Sequence, residues 1–233
     1  MTPEAGAQLV NCAYKSGFGL FLCAEMEEFQ MAIYGAKYLQ WAKKTAAGVV
    51  GESFPTYDAA VNLGPLVSVT ETITYASARN YGDNELQESV DEFQELGIAA
   101  AMTEMPIVAA AAVYGARVTA SGGISFNRED APPQGCLGFY TSKQSKKEGV
   151  QQKFYQGIFY PSLTGSRQGT AYNTKGQSIT FANGQANFVG SCEENGFWMV
   201  MSDNLATEAE AKEWVDTMMR GGADALAQAV AAG

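Results

Sequence analysis

The sequence predicts a mainly β protein with flanking helices, an α+β fold built as a sandwich or open barrel. Three observations predict it. Charged residues make up only 17% of the 233-residue chain and hydrophobic residues 46%, against an average charged share of about 25%. Uncharged Ser, Thr, Gln, Asn and Gly must therefore cover much of the surface, as on an antiparallel sheet or beneath neighbouring subunits. Leu66 to Tyr75 alternates apolar and polar residues, the period-two pattern of a half-buried strand. Behind Gly122-Gly123, turn residues separate a series of further strand-like segments.

Val49 to Pro65 reads as a loop, punctuated by Gly51, Pro55, Asp58, Asn62 and Gly64. In the strand that follows, Val67, Val69, Ile73 and Tyr75 share one face, and Ser68, Thr70, Thr72 and Thr74 the other, with Glu71 interrupting the apolar side. Asn80-Tyr81-Gly82-Asp83-Asn84 is a turn. Glu85 to Met102 opens with a strongly acidic run, Glu85, Glu88, Asp91, Glu92 and Glu95. Propensity alone favours a helix for its first part. Gly97 and the need for a partner for the preceding strand favour one long strand around Asp91 to Met102.

Thr103-Glu104-Met105-Pro106 reads as a helix start with Thr103 as N-cap. Ile107 to Tyr114 is apolar all round, which predicts a buried helix, and Gly115 stops it. Strands are expected at Gly135 to Thr141 and at Gln151 to Tyr160, ended by Pro161, with a basic loop bearing Lys143, Lys146 and Lys147 between them. Tyr172 to Gly176 is a turn. Ser178 to Val189 is a strand, or a hairpin if Asn183-Gly184 turns tightly, and Asn195-Gly196 leads into Phe197 to Met201. Thr207-Glu208-Ala209-Glu210 is a capping box, behind which Ala211, Trp214, Val215 and Met218 form one stripe for packing on a sheet. Gly221-Gly222 ends that helix.

Three segments follow. Residues 31–220 form the main domain, 221–233 an Ala-rich tail, and 1–30 an N-terminal extension. Met31 reads as a protein start, and Glu27-Glu28 ahead of it can be encoded by a purine-rich ribosome-binding sequence. Residues 1–30 are thus either an upstream over-translation or an N-terminal arm. Gly17 to Ala24 is apolar behind Lys15, yet too short and too soon followed by acids for a strong secretion signal.

The net charge of −10 gives the chain no electrostatic reason to hold DNA. It contains no His, the commonest acid/base group and metal ligand. Cys12, Cys23, Cys136 and Cys192 form no CxxC pair and no metal spacing, and reduced thiols are expected. No apolar run approaches the roughly 20 residues of a membrane helix. Ser166, Ser191 and Ser202 sit in no GxSxG pattern, and Glu193-Glu194 presents no acid/base pairing. Phe154, Tyr155, Phe159 and Tyr160 lie within a strand and are expected in core or subunit interface rather than on a ligand platform. No catalytic residue, metal site or cofactor is expected, and the chain reads as a non-enzyme.

The order of features resembles that of the major tail tube proteins of long-tailed phages with non-contractile tails. The matching pieces are Tyr34-Gly35, Leu63-Gly64, the Val67 to Ile73 strand, the Asn80 to Asn84 turn, Phe93 with Ile98, and the apolar helix ending at Gly115. They continue with Gly135 to Tyr140, Gln152-Lys-Phe-Tyr-Gln-Gly-Ile-Phe-Tyr160, Ile179 to Gly190 and the late acidic helix bearing Trp214. The resemblance spans Met31 to Met219. It implies homohexameric rings stacked into a virion tail tube assembled in the host bacterial cytoplasm. Hairpins would form a lumen-lining barrel through which DNA passes without specific binding. The implied partners are further copies, a tape measure protein, and tail terminator and baseplate proteins, with no membrane. On that reading Glu88, Asp91, Glu92 and Glu95 are candidates for the lumen wall, and Lys143, Lys146 and Lys147 for contacts with the acidic groups of a neighbouring ring. Solvated acidic and basic surfaces are the plain alternatives. The rival function is a receptor- or carbohydrate-binding sandwich of a virion or cell surface.

Overall fold

A computed structural model describes residues 31–48, 55–82, 85–147, 150–169, 183–193 and 196–221. The chain begins with β1 (Met31–Ala46), the short β2 (Thr56–Tyr57) and β3 (Val61–Asn62), and then two long strands, β4 (Leu66–Gly82) and β5 (Glu85–Met102). Helix α1 (Ile107–Tyr114) leads to β6 (Arg117–Val118) and β7 (Ile124–Ser125), which pair only with each other. A second long hairpin, β8 (Gln134–Lys147) and β9 (Val150–Arg167), is followed by β10 (Gly184–Gly190), β11 (Val200–Met201) and α2 (Glu208–Met219). The fold is mainly β with two helices, as expected.

The main sheet is antiparallel in the order β2-β1-β8-β9-β10-β5-β4, with β3 joined to β1 and β11 to β9. It curls until β1 and β4, from opposite ends of that order, come close, yet they do not pair and no closed barrel forms. The concave face buries Leu39, Trp41, Leu96, Ile98, Leu137 and Phe188, and the Trp41 and Phe188 rings stack 5.4 Å apart. Ala109 and Val113 of α1 close this core from β1, β3 and β9. The opposite face of β8 and β9 carries a second core, in which Cys136 and Phe159 meet Val215, Met218 and Met219 of α2.

The expected capping box is in place. Thr207 Oγ1 accepts from the Glu210 N–H at 3.2 Å, and Glu210 Oε2 accepts from the Thr207 N–H at 3.3 Å. Ala211, Val215 and Met218 are buried as the stripe requires. The same end of α2 is tied to the sheet by the Tyr140 hydroxyl, which donates to Glu208 at 2.5 Å. Burial first, and this acceptor second, push the Tyr140 phenol up.

Four local expectations are corrected. The 80–84 segment is not wholly a turn, because β4 stays paired through Gly82 and β5 resumes at Glu85, with Asp83-Asn84 outside the described residues. Helix α1 has Pro106, not Thr103, as its N-cap; the Thr103 N–H is taken by the Pro65 carbonyl at 2.9 Å. Nor is α1 buried all round, since it lies at the core's margin and leaves Val108 65% exposed. Its stop at Gly115 does hold, in left-handed conformation at φ 66°. Strand β9 runs through Pro161 to Arg167. The ladder to β8 shifts there, with Tyr160 opposite Leu137 and Leu163 opposite Gly135, and a proline lacking an N–H is tolerated at such a bulge.

The expected turn at 172–176 and the first part of the 178–189 strand lie outside the described residues, as do residues 1–30 and 222–233. The paired segment there begins at Gly184, and Asn183 lies in no strand. Of Phe197 to Met201, Val200–Met201 forms a strand, paired with β9.

Gly157 lets α2 lie directly on β9. A Cβ at that position would overlap the Trp214 ring. Gly157→Ala should therefore lower stability by about 1–3 kcal/mol through overpacking, read as a lower urea midpoint. A midpoint equal to that of the parent would show that α2 is not held against β9.

Candidate assembly surface

Two hairpins, β4–β5 and β8–β9, project from the curled body in the same direction. β10 bridges them only where Leu163–Arg167 of β9 and Leu96–Met102 of β5 lie alongside it. Beyond Gly190 the halves of the sheet part. The freed edge of β9 is taken by Val200 and Met201 and by the Tyr155–Leu205 bridge. Among the described residues nothing but β4 pairs with the Glu85–Glu95 part of β5, and β4 has no partner but β5 along its whole length. The outer β4–β5 hairpin is thus a two-stranded ribbon with unsatisfied peptide groups along both edges. A ribbon of this kind is marginally stable alone and a template for further strands.

Irregularities in this hairpin decide which side chains share a face. Glu95 pairs opposite Thr74 and Phe93 opposite Tyr75, so Gln94 is an extra residue that reverses the phase of β5. Without that bulge Glu92 and Glu95 would point to opposite sides. With it, both stand on the outer face beside Thr70, Thr72, Thr74, Ala76 and Ala99, and all are exposed. The result is a smooth strip of small polar side chains carrying carboxylates.

Asp91 is on the other face. It lies opposite Ser77, whose hydroxyl donates to it at 2.5 Å, in line with Phe93 and Tyr75. The four candidate acids do not share one face. Glu88 occupies the ladder position opposite Asn80.

The expected strand face is also adjusted at its start. Leu66 pairs opposite Met102 and Ser68 opposite Ala101, so Val67 is bulged out of the ladder and 51% exposed. Leu66, Val69 and Ile73 pack on the core instead.

The basic candidates belong to strand rather than loop. Lys143 is half-buried between Ile33 and Phe154, while Lys146 and Lys147 stand opposite Gln151 and Val150 at the end of the β8–β9 hairpin. Strands β8 and β9 together carry five basic residues and no acid, whereas β4 and β5 carry six acids and one base. Phe159 and Tyr160 are fully buried, as expected of core aromatics, and Phe154 and Tyr155 are half-buried.

The sequence reading missed one ionic contact. Glu193 is buried and its carboxylate meets the Lys44 ammonium at 2.5 Å. The adjoining loop is closed by the Gly196 N–H on the Glu193 carbonyl at 2.9 Å. The pair fastens the segment after β10 to β1, residues 149 apart in sequence. An acid before a turn gives no hint of a partner that distant.

Cys136 and Cys192 are free, Cys136 with its thiol pushed well up by burial. No group of three or more His, Cys, Asp or Glu among the described residues is placed to hold a metal ion, and none of their helices is long and apolar enough to cross a membrane.

Removing one member of a buried ion pair strands the other. Glu193→Ala should cost about 3 kcal/mol in urea unfolding, and replacing both residues by Leu should recover most of that loss. An unchanged single variant would show that the pair fastens nothing.

No family model matches this chain, and none of the curated proteins matches it.

Proposed function

We propose that this protein is a structural subunit of a phage tail tube, forming hexameric rings that stack around a channel for DNA. One observation carries the reading: the β4–β5 hairpin, 17 and 18 residues long, leaves its outer strand edges unpaired and presents a polar, acid-bearing strip. A long exposed edge is an aggregation hazard in a monomer. In a ring it becomes useful, because each hairpin satisfies its neighbour and closure abolishes the edges. The free edge of β4 at one end of the sheet and that of β1 before Gln40 at the other are a matched donor and acceptor for such head-to-tail pairing.

The outer strip suits a wall past which DNA slides. Glu92 and Glu95, repeated around a ring, repel phosphates within a Debye length of about 8 Å. Small Thr and Ala side chains offer no base-stacking platform and no phosphate clamp. The opposite charges of the two hairpins favour an acidic arm lying beside the basic strand end of an adjacent copy. Each exposed ion pair contributes only about 0–1 kcal/mol, so strand pairing and apolar burial must hold the rings together. In a tail such a tube would enclose a tape measure protein and end on terminator and baseplate proteins. It would assemble in the host cytoplasm and act without catalysis or cofactor.

Negative-stain microscopy of the concentrated protein should reveal rings or tubes; a protein that stays monomeric with the other tail components present would contradict the reading. Reversing Glu92 and Glu95 to Lys together should permit tube assembly but reduce infectivity at least tenfold by retaining DNA. Unchanged infectivity would remove these residues from the channel.

A further inference from the structure

The curled sheet is left open along a groove of about 460 Å³ between the free edge of β1 at Ile33–Ala36 and the start of β4 at Val67–Glu71. Its lining mixes apolar and polar groups. Ile33 is 65% exposed and Val67 51%, both on the rim, with Phe139 and Ile158 beneath them. Tyr34, Ser68, Glu71 and Thr141 bring polar side chains to that lining, and two of them bear on what can cover it. The Thr141 hydroxyl, in a residue only 7% exposed, has no hydrogen-bond partner among the described residues. Glu71, exposed in the single chain, stands on the groove side of β4 opposite Ile98.

We propose that this groove is the seat of a second copy of the chain and that Glu71 takes up a proton as the groove is covered, so that association of copies is favoured by acid. The proposal rests on the self-assembly reading above and deepens it.

A second copy is the occupant because the molecule is complementary to itself. Each copy carries two unpaired strand edges flanking the groove, and an acidic hairpin and a basic one. A head-to-tail neighbour supplies the missing edge and the opposite charge in one contact.

Covering the groove takes the Glu71 carboxylate out of water. Besides Glu71 itself, Tyr34 from β1 is the one titratable side chain among the described lining residues. On β8, Lys143 lies one step further along, in the ladder position between Ile33 and Phe154; Lys153 of β9 stands outside the lining with its ammonium 5.8 Å from the Tyr34 ring, while β5 and β9 present Ile98 and Ile158. With no cation in the lining, the neutral acid is the form that fits there, and the unpartnered Thr141 hydroxyl lines the same groove. Partial burial already raises the Glu71 carboxyl above the ordinary range in the single chain. Covering it further raises it more. The associated state then binds more protons than the free one, so association strengthens as pH falls and weakens as pH rises through the titration of the covered group.

The association of the full chain is measured by analytical ultracentrifugation between about pH 8 and 5, for the parent and for Glu71→Gln. The parent association constant should rise by up to about tenfold per pH unit more steeply than that of the variant, which keeps only the general effect of lowering net charge. Val67→Lys on the exposed rim should abolish association with the circular dichroism spectrum unchanged. A Glu71→Gln protein with the parent's pH profile overturns the proposal. So does one that no longer associates, since the carboxylate would then be pairing with a base on the partner, and so does a parent that associates at no pH. Rings with an unaltered profile in Glu71→Gln would sink this inference and leave the tube reading standing. Closed dimers that keep the Glu71 dependence would do the reverse.

Discussion

A sheet that curls without closing leaves rows of peptide groups with no partner, and the rest of this structure is arranged around that deficit. Among the described residues, strand β4 pairs on one side only, with β5, from Leu66 to Gly82. Peptide groups left in water lose little, but the same groups under a covering subunit cost free energy unless paired. The body of the protein is well supported without them. Trp41, Phe188 and their neighbours fill the concave face, and α2 seals the other. Stability thus sits in the body, while among the described residues the open strand edges lie along the β4–β5 hairpin and the start of β1.

The two arms differ both in charge and in how they are held. Strands β8 and β9 are bound into the body through β1, β11 and α2, and their hairpin end gathers lysines. The β4–β5 hairpin stands free beyond Gly190 and gathers carboxylates. The Gln94 bulge then sorts those carboxylates, sending Glu92 and Glu95 outward and Asp91 to Ser77. One inserted residue brings Glu92 and Glu95 to the same face of the ribbon, while Asp91 keeps the other.

What was legible in the sequence was local. Period-two alternation marked β4, the Thr207 capping box marked α2, and Gly115 marked the end of α1, because each signal involves residues a few positions apart. What was illegible depended on the partner strand. Neither the bulge at Gln94 nor the one at Val67 has a signature of its own, since a bulge is a mismatch between two strands. Thr103 looked like a cap, but the helix begins only at Ile107, with Pro106 in the cap position. Pro161 looked like a strand end because its tolerance comes from a bulge of β9 in its ladder to β8. Lys44 and Glu193 could be matched only by the curl of the sheet.

Hydrogen–deuterium exchange of the β4–β5 hairpin, compared between the isolated chain and its assemblies, tests the central claim most directly. The account predicts fast exchange of the amides from Tyr75 to Glu92 in the isolated chain and slow exchange once copies associate, with the Leu96–Met102 amides slow in both. Hairpin amides that stay fast in the assemblies, or that are already slow in the monomer, would contradict it.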